Sequence, residues 1–193
     1  MDFDLKKVSM NYIIVSDIFG LTPALTKLSD AIMAKKVIVE PYDGTSQPYD
    51  TEQYYYDKFI KNSGHDNYAS KVKNVFDELD SPTLCIAFSA GASAAWRAQL
   101  LTGNTHLKKL IGFYPSQIRN NLDVNATIPC EFIFPQHEPH FNVDDIINSL
   151  ALKVGVKCSK TTFLHGFMNQ YSVNFNATAF DEYIHYINSA KAC

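Results

Sequence analysis

Short apolar runs rich in β-branched residues alternate along the chain with longer amphipathic stretches. Apolar runs of this length are typical of strands that are buried on both faces of a parallel sheet. The predicted strands are Tyr12–Ser16, Val37–Glu40, Thr83–Phe88, Lys109–Tyr114, Cys130–Phe134 and Lys160–Leu164. Because the stretches between them have helical periodicity, the alternation predicts an α/β fold: a mostly parallel six-stranded sheet with helices on both faces.

The amphipathic stretches predict helices whose apolar sides pack on that sheet. The predicted helices are Pro23–Met33, Tyr55–Ile60, Ala69–Leu79, Ala90–Leu101 and Thr178–Ala190. Turn-forming residues fill Pro41–Tyr54, which predicts a long loop. Because no segment repeats at a fixed period and no tract resembles a linker, we predict a single domain over residues 1–193.

Composition and charge narrow the classes of function. The chain has 193 residues, of which 46% are hydrophobic and 19% charged, as expected for a folded globular domain. The formal net charge of −3 provides no basic field, so nucleic acid and anionic membrane surfaces are not expected partners. Only Arg97 and Arg119 are arginines, which predicts substrates that are mostly uncharged.

The chain start and the cysteines bear on location and chemistry. Met1–Met10 lacks the apolar run of a signal peptide, and no stretch is apolar enough to span a membrane, so we expect a cytoplasmic protein. The four cysteines are widely spaced, without a C-x-x-C pair, which predicts reduced thiols and no bound metal. The oligomeric state is left open.

The most informative motif is the pentapeptide Ala87–Gly91, which has a small residue two positions before and two after Ser89. A serine between a buried strand and a helix, flanked in this way, is typical of a sharp turn that exposes a nucleophilic hydroxyl. The same turn would point the backbone N–H of Ala90 at an oxyanion. The alternative is an ordinary helix N-cap, a role for which serine is also favoured.

A nucleophilic serine needs a base and a carboxylate that orients the base. His165 directly follows the last predicted strand, and Glu138 is the only carboxylate in the segment 135–141 after the preceding one. The chain order Ser89, Glu138, His165 is the order of α/β-hydrolases. The rival acids, Asp144 and Asp145, are better explained as first-turn acids of a helix.

The other histidines have simpler interpretations. His65, His106 and His185 lie in loops, helix ends or the last helix, which predicts solvated surface positions. His137 and His140 flank the predicted acid, and of these we place His137 near the site.

The motifs together resemble the dienelactone hydrolase family of α/β-hydrolases. They are D-I-F-G-L-T at 17–22, A-F-S-A-G at 87–91, G-F-Y-P at 112–115, the Glu138 loop and H-G-F at 165–167. The resemblance implies an oxyanion hole formed by the backbone N–H groups of Ile18 and Ala90. It also implies that Asp17 and Phe19 lie at the site, and that the leading strands of the family are trimmed.

The chain departs from the family pattern at several positions. Ser89 replaces the cysteine of the name-giving members, Asp17 replaces a glutamate, and Glu138 replaces the usual aspartate. The region 41–60 lacks an arginine, so dienelactone is not carried over as substrate. The aromatic residues at 49–59 predict either a cap over the site, in which Tyr55 would line the pocket, or ordinary packing of an amphipathic helix.

The residues therefore predict a serine hydrolase that cleaves carboxylic esters, thioesters or lactones of small, mostly uncharged compounds. No metal or organic cofactor is expected. A nucleotide-binding domain of Rossmann or flavodoxin type is disfavoured, because the first turn lacks both G-x-G-x-x-G and a P-loop lysine. A noncatalytic binding protein with the same fold is the remaining alternative.

Overall fold

The sheet in the computed structural model, which describes residues 10–190, has six strands. They are β1 (Asn11–Val15), β2 (Lys36–Val39), β3 (Thr83–Phe88), β4 (Leu107–Phe113), β5 (Cys130–Phe134) and β6 (Val156–Lys160). Neighbours in the sheet follow the order β2-β1-β3-β4-β5-β6, and every pair is parallel. The predicted α/β class and the six-stranded parallel sheet are confirmed. Within residues 10–190 no strand precedes β1.

Helices cover both faces of the sheet, as predicted. They are α1 (Pro23–Ala31), α2 (Glu52–Asn62), α3 (Gly64–Asp77), α4 (Ala90–Leu101), α5 (Val143–Ala151) and α6 (Ala177–Ser189), with a 3₁₀ helix at Ser116–Asn120. Successive strand side chains point to opposite faces. Ile13 and Val15 pack with α3, α4 and α5, whereas Ile14 packs with α1 and α6. Both faces are apolar, which is why the buried strands β3 and β5 have continuous apolar sequences.

The strand order reverses at β1, because the chain runs from β1 outward to β2 and then returns to β3 on the other side. A crevice forms at such a switch point, beyond the carboxyl ends of the strands. The start of α4 approaches this end of β1 closely: a Cβ atom on Gly91 would collide with the carbonyl oxygen of Ser16. Glycine is therefore required where β3 turns into α4.

The last strand differs from the prediction. The sequence pattern indicated Lys160–Leu164, but β6 is Val156–Lys160 and the residues after it form a loop. β6 is an edge strand paired only with β5, and it is largely exposed. Its polar sequence therefore lacks an apolar run, while Phe163 packs against the core from the loop and supplies the misleading signal.

Two helices also have earlier starts than predicted. α2 begins at Glu52, after Thr51 accepts a hydrogen bond from the Tyr54 N–H and caps it. α3 begins at Gly64 and not at Ala69. Few buried apolar side chains lie in these first turns, so hydrophobic periodicity alone did not reveal them.

Cys85, Cys130 and Cys158 form no disulfide with one another. Cys193 and the first nine residues of the predicted signal-free start lie outside the described residues. Between residues 10 and 190 the helices all fall short of the length and apolarity of a membrane-spanning helix.

Candidate active site

Ser89 occupies a strained turn between β3 and α4. Its φ of 47° and ψ of −114° are uncommon for an L residue, and such backbone conformations cost roughly 1–3 kcal/mol. The Ser89 N–H donates to the Phe113 carbonyl at 2.9 Å, which ties the turn to β4. The side chain makes no capping hydrogen bond to α4, so the N-cap alternative is wrong. The hydroxyl is therefore free to make another contact.

That contact is with His165, whose ring links the serine to an acid. Ser89 Oγ lies 2.9 Å from His165 Nε2, and His165 Nδ1 lies 2.6 Å from Glu138 Oε1. The three residues follow β3, β5 and β6 in the chain, and the parallel sheet brings the three strand ends to one edge. The structure thus unites the three side chains that the sequence analysis selected.

The Glu138 carboxylate determines which ring nitrogen of His165 carries the proton. Its side chain is 6% exposed, compared with 29% for His165. A carboxylate can only accept, so the proton of the neutral imidazole resides on Nδ1 and Nε2 accepts the Ser89 hydroxyl proton. The rival acid Asp144 is exposed and pairs with Lys160 at 2.8 Å. It belongs to the first turn of α5, where an acid favours the helix dipole.

Two backbone N–H groups line the site beside the serine. Ala90 is the first residue of α4, so its N–H has no acceptor within the helix. The Ile18 N–H donates no hydrogen bond to another described residue. Both residues line the cavity that contains Ser89 and His165. Both N–H groups could therefore donate to an oxyanion in this cavity without first breaking a hydrogen bond to another described residue.

The site opens into a cavity of about 660 Å³. Six residues that the sequence predicts at the site line this cavity: Ile18, Ser89, Ala90, His137, Glu138 and His165. Most of the other polar residues of the cavity wall are not predicted by the sequence; these residues are Glu52, Gln53, Tyr56, His65, Ser116, Gln117, Arg119, His140 and Asn174. These residues come from α2, α3, the 3₁₀ helix and the loops, and no local motif in the sequence marks them.

Three residues expected at the site are buried beneath it and do not line the cavity: Asp17, Phe19 and Tyr55. Phe19 and Tyr55 pack edge to face, with ring centroids 4.9 Å apart. The Tyr55 hydroxyl donates to the Pro48 carbonyl. Tyr55 and Phe59 are fully buried, so packing of an amphipathic helix explains them and the cap interpretation fails for Tyr55. Tyr56, on the next face of α2, lines the cavity instead.

The remaining histidines divide between the surface and the cavity. His106 is half-buried and His185 is exposed. His65 was predicted to be a solvated surface residue, but it is half-buried, packs on Phe59 at 5.1 Å and lines the cavity. Burial lowers the pKa of His65 and the neighbouring Arg97 lowers it further, so this ring favours the neutral form.

Arg119 is the one arginine that lines the cavity among the described residues. Its Nη1 donates to the Ser116 carbonyl at 2.6 Å, and the guanidinium lies 5.2 Å from the centroid of the Phe141 ring. No carboxylate between residues 10 and 190 forms an ion pair with it. The cavity therefore contains a guanidinium held in place by a carbonyl and a ring.

The described residues of this site are not arranged as a set of metal ligands. Across residues 10–190 there is no group of three histidine, cysteine or acidic side chains arranged to hold a metal ion. Glu138 and His165 are bonded to each other, and His137 and His140 are exposed on the neighbouring loop.

No family model matches the chain. An uncharacterized protein of Bacillus subtilis (strain 168), YczH, is 28% identical over 175 residues, which is 87% of this chain and 85% of that one. The similarity extends over nearly the whole described fold, and it carries no information on activity.

Solved structures share the architecture at low sequence identity. A Klebsiella pneumoniae protein assigned as a dienelactone hydrolase matches with a TM-score of 0.67 at 14% identity, covering 96% of this chain and 87% of that one. A dienelactone hydrolase-like promiscuous phosphotriesterase from metagenomic libraries has a TM-score of 0.61 at 13% identity, covering 93% and 84%. An alpha-beta serine hydrolase homologue from Coxiella burnetii has a TM-score of 0.59 at 12% identity, covering 95% and 86%. The chain therefore has the α/β-hydrolase fold, which it shares with dienelactone hydrolase-like proteins.

Proposed function

We propose that the protein is a serine hydrolase that cleaves carboxylic esters, thioesters or lactones of small, mostly uncharged compounds. One observation carries the proposal: the hydrogen-bonded series Ser89, His165, Glu138 at the wall of an open cavity. A nucleophile, a base and an orienting acid in contact are the recurring machinery of acyl transfer. The cavity volume of about 660 Å³ suits a small substrate.

The geometry supports a two-step mechanism. Ser89 Oγ attacks the carbonyl carbon while its proton moves to His165 Nε2, and Glu138 stabilises the imidazolium that forms. The Ile18 and Ala90 N–H groups hold the oxyanion. The alcohol or thiol then leaves with the proton from His165. Water, deprotonated by His165, attacks the acyl-enzyme. The bond from the acyl carbon to Ser89 Oγ then breaks, His165 returns the proton to Oγ, and the carboxylic acid leaves.

The structural relatives add support at the level of fold. Their names include a phosphotriesterase and a serine hydrolase homologue, so the shared architecture hosts hydrolytic chemistry in other proteins. Because one fold hosts many functions, the case for this chain depends on its own site.

Covalent labelling tests the nucleophile directly. We expect a fluorophosphonate to modify Ser89, identified by mass spectrometry of the digested protein. Ser116 also lines the cavity but has no histidine partner among the described residues, so Ser116→Ala is the matched control. The wild type and Ser116→Ala should label equally, and Ser89→Ala should not label. An unlabelled wild type would favour the noncatalytic binding protein.

Arg119 favours a second candidate substrate. The low arginine count predicted uncharged substrates, but one of the two arginines lies in the cavity wall without a carboxylate partner within residues 10–190. A guanidinium in such a setting binds a carboxylate well. An ester whose acyl group ends in a carboxylate is therefore the second candidate.

Matched methyl esters decide between the two candidates. We expect Arg119→Gln to lower kcat/KM for monomethyl succinate by about 10-fold, the effect of losing roughly one charge-assisted hydrogen bond, and to leave methyl butyrate within about 2-fold. Lys153→Gln removes a half-buried cation that follows α5 and does not line the cavity, and it is the control. Equal effects on both esters would leave the uncharged compounds as the substrates.

A further inference from the structure

Asp17 is a buried carboxylate for which the proposed reaction has no use. It is 4% exposed, and it does not line the cavity. Its Oδ1 accepts the Phe19 N–H at 3.0 Å. Both of its oxygens also accept from Asn169 Nδ2, at 3.1 and 2.9 Å, and Asn169 is 5% exposed. A buried charge is costly unless it is fully hydrogen-bonded, so a pair of this kind needs an explanation.

One end of the contact controls the loop that we name the oxyanion loop, residues 17–22. The hydrogen bond from Phe19 to Asp17 spans Ile18, so it restrains the peptide that carries the Ile18 N–H. In the next peptide, which joins Ile18 to Phe19, the Tyr42 hydroxyl donates to the Ile18 carbonyl at 2.6 Å. The two hydrogen bonds hold both polar groups of the Ile18–Phe19 peptide, and they restrain the direction of the Ile18 N–H through the turn that they close.

The other end controls the turn that we name the histidine turn, residues 165–169. The Asn169 N–H donates to the Gly166 carbonyl at 2.9 Å, and its Oδ1 accepts the Tyr171 N–H at 3.0 Å. Asn174 Nδ2 donates to the His165 carbonyl at 2.9 Å. Asn169 thus closes the turn that holds the imidazole.

We propose that Asp17 and Asn169 are positioning residues that hold the oxyanion loop and the histidine turn in one relative position. The proposal rests on the proposed function. Acyl transfer needs the oxyanion donor and the base to be aligned on one carbonyl group, and a displacement of about 1 Å can cost about 100-fold in rate. The two loops follow β1 and β6, which lie four strands apart in the sheet. Because β1 and β6 are not paired with each other, strand pairing does not fix the distance between their loops. The hydrogen bonds between Asp17 and Asn169 join the two loops directly.

Ionisation of Asp17 is coupled to this bond. Burial raises the pKa of Asp17 to about 6, against the lowering effect of Asn169 and Phe19. The other titratable groups that act on it or respond to it are His165, Glu52, Tyr42, Tyr68 and Tyr114. As the pH falls below about 6, a proton occupies one carboxylate oxygen and displaces a donor. The acid limb of kcat should therefore involve one proton more in the wild type than in Asp17→Asn.

An exchange of the two side chains tests the proposal. In Asp17→Asn two amide NH₂ groups face each other, and in Asn169→Asp two carboxylates do. We expect each single variant to lower kcat by about 10- to 100-fold with KM within about 2-fold. The double variant Asp17→Asn/Asn169→Asp restores a carboxylate–amide pair and should recover most of kcat. Asp30→Asn, which removes an exposed acid from the last turn of α1, is the control for charge.

Hydrogen–deuterium exchange provides a readout that does not depend on hydrolysis. Asn169→Ala should increase exchange of the oxyanion loop amides, Asp17→Asn should increase exchange of the histidine turn amides, and the double exchange should reverse both. An inactive wild type with this cross-loop response would overturn the proposed function and leave the positioning link intact. Active single variants, or exchange confined to the mutated loop, would overturn the link.

Discussion

Replacing Ser89 with alanine should lower kcat for p-nitrophenyl acetate by roughly 10⁵–10⁶-fold, because the variant lacks the oxygen that attacks the carbonyl group. His165 and Glu138 would remain paired, but without the nucleophile they contribute little, since the members of a triad act as a unit. The free energy of unfolding should change by less than about 1 kcal/mol, because only a hydroxyl group that faces the cavity is removed. Steady-state kinetics and thermal unfolding measure the two quantities.

The matched control for this prediction is Ser116→Ala, which removes another hydroxyl from the same cavity. It should keep kcat within about 3-fold of the wild type. Equal turnover of the wild type and Ser89→Ala would move the nucleophile elsewhere, and the acyl-enzyme mechanism proposed above would be wrong.

The second large effect is expected for Glu138→Gln, which should lower kcat by roughly 10³–10⁴-fold. A glutamine NH₂ group facing Nδ1 of His165 selects the tautomer with its proton on Nε2, and this tautomer cannot accept the Ser89 proton. If the amide oxygen faces Nδ1 instead, the imidazolium loses the charge that stabilises it. Both arrangements slow the attack of Ser89, so the direction of the effect does not depend on the amide orientation.

The comparison for Glu138→Gln is Asp144→Asn, a second acid on the following helix. Asp144 is exposed and bonded to Lys160, so its loss should change kcat by less than about 2-fold. The test is the ratio of kcat for Asp144→Asn to kcat for Glu138→Gln, measured on the same substrate. A larger loss for Asp144→Asn would reassign the acid and would contradict the hydrogen bond between Glu138 and His165.

The elements of the sheet interior were predictable from the sequence. β3 and β5 have the predicted bounds, because both are buried and their apolar runs end where the chain turns. β6 begins four residues before the predicted strand. The exposed edge strand has no apolar run, whereas Phe163 in the following loop packs against the core and gives the loop an apolar signal. Hydrophobic pattern reports burial, and it predicts a strand only where the strand is buried.

Some residues of the candidate site were predictable from the sequence, and others were not. Ser89, Glu138 and His165 each follow a strand in the order of α/β-hydrolases, so local context and chain order were sufficient to select them. Arg119 and His65 line the same cavity but come from helices with no motif of their own. Their position depends on how α3 and the 3₁₀ helix pack, and pairwise spacing in the chain does not encode that packing.

Sequence alone determined the class of fold, the sharp turn at Ser89 and the order of the three candidate catalytic side chains, because these depend on local burial, local backbone geometry and succession along the chain. Only the tertiary structure decided that Asp17 turns inward to Asn169, that Tyr55 is core, and that an arginine enters the cavity wall. Such contacts join residues far apart in the chain. They exist only once the sheet has set the distance between its loops.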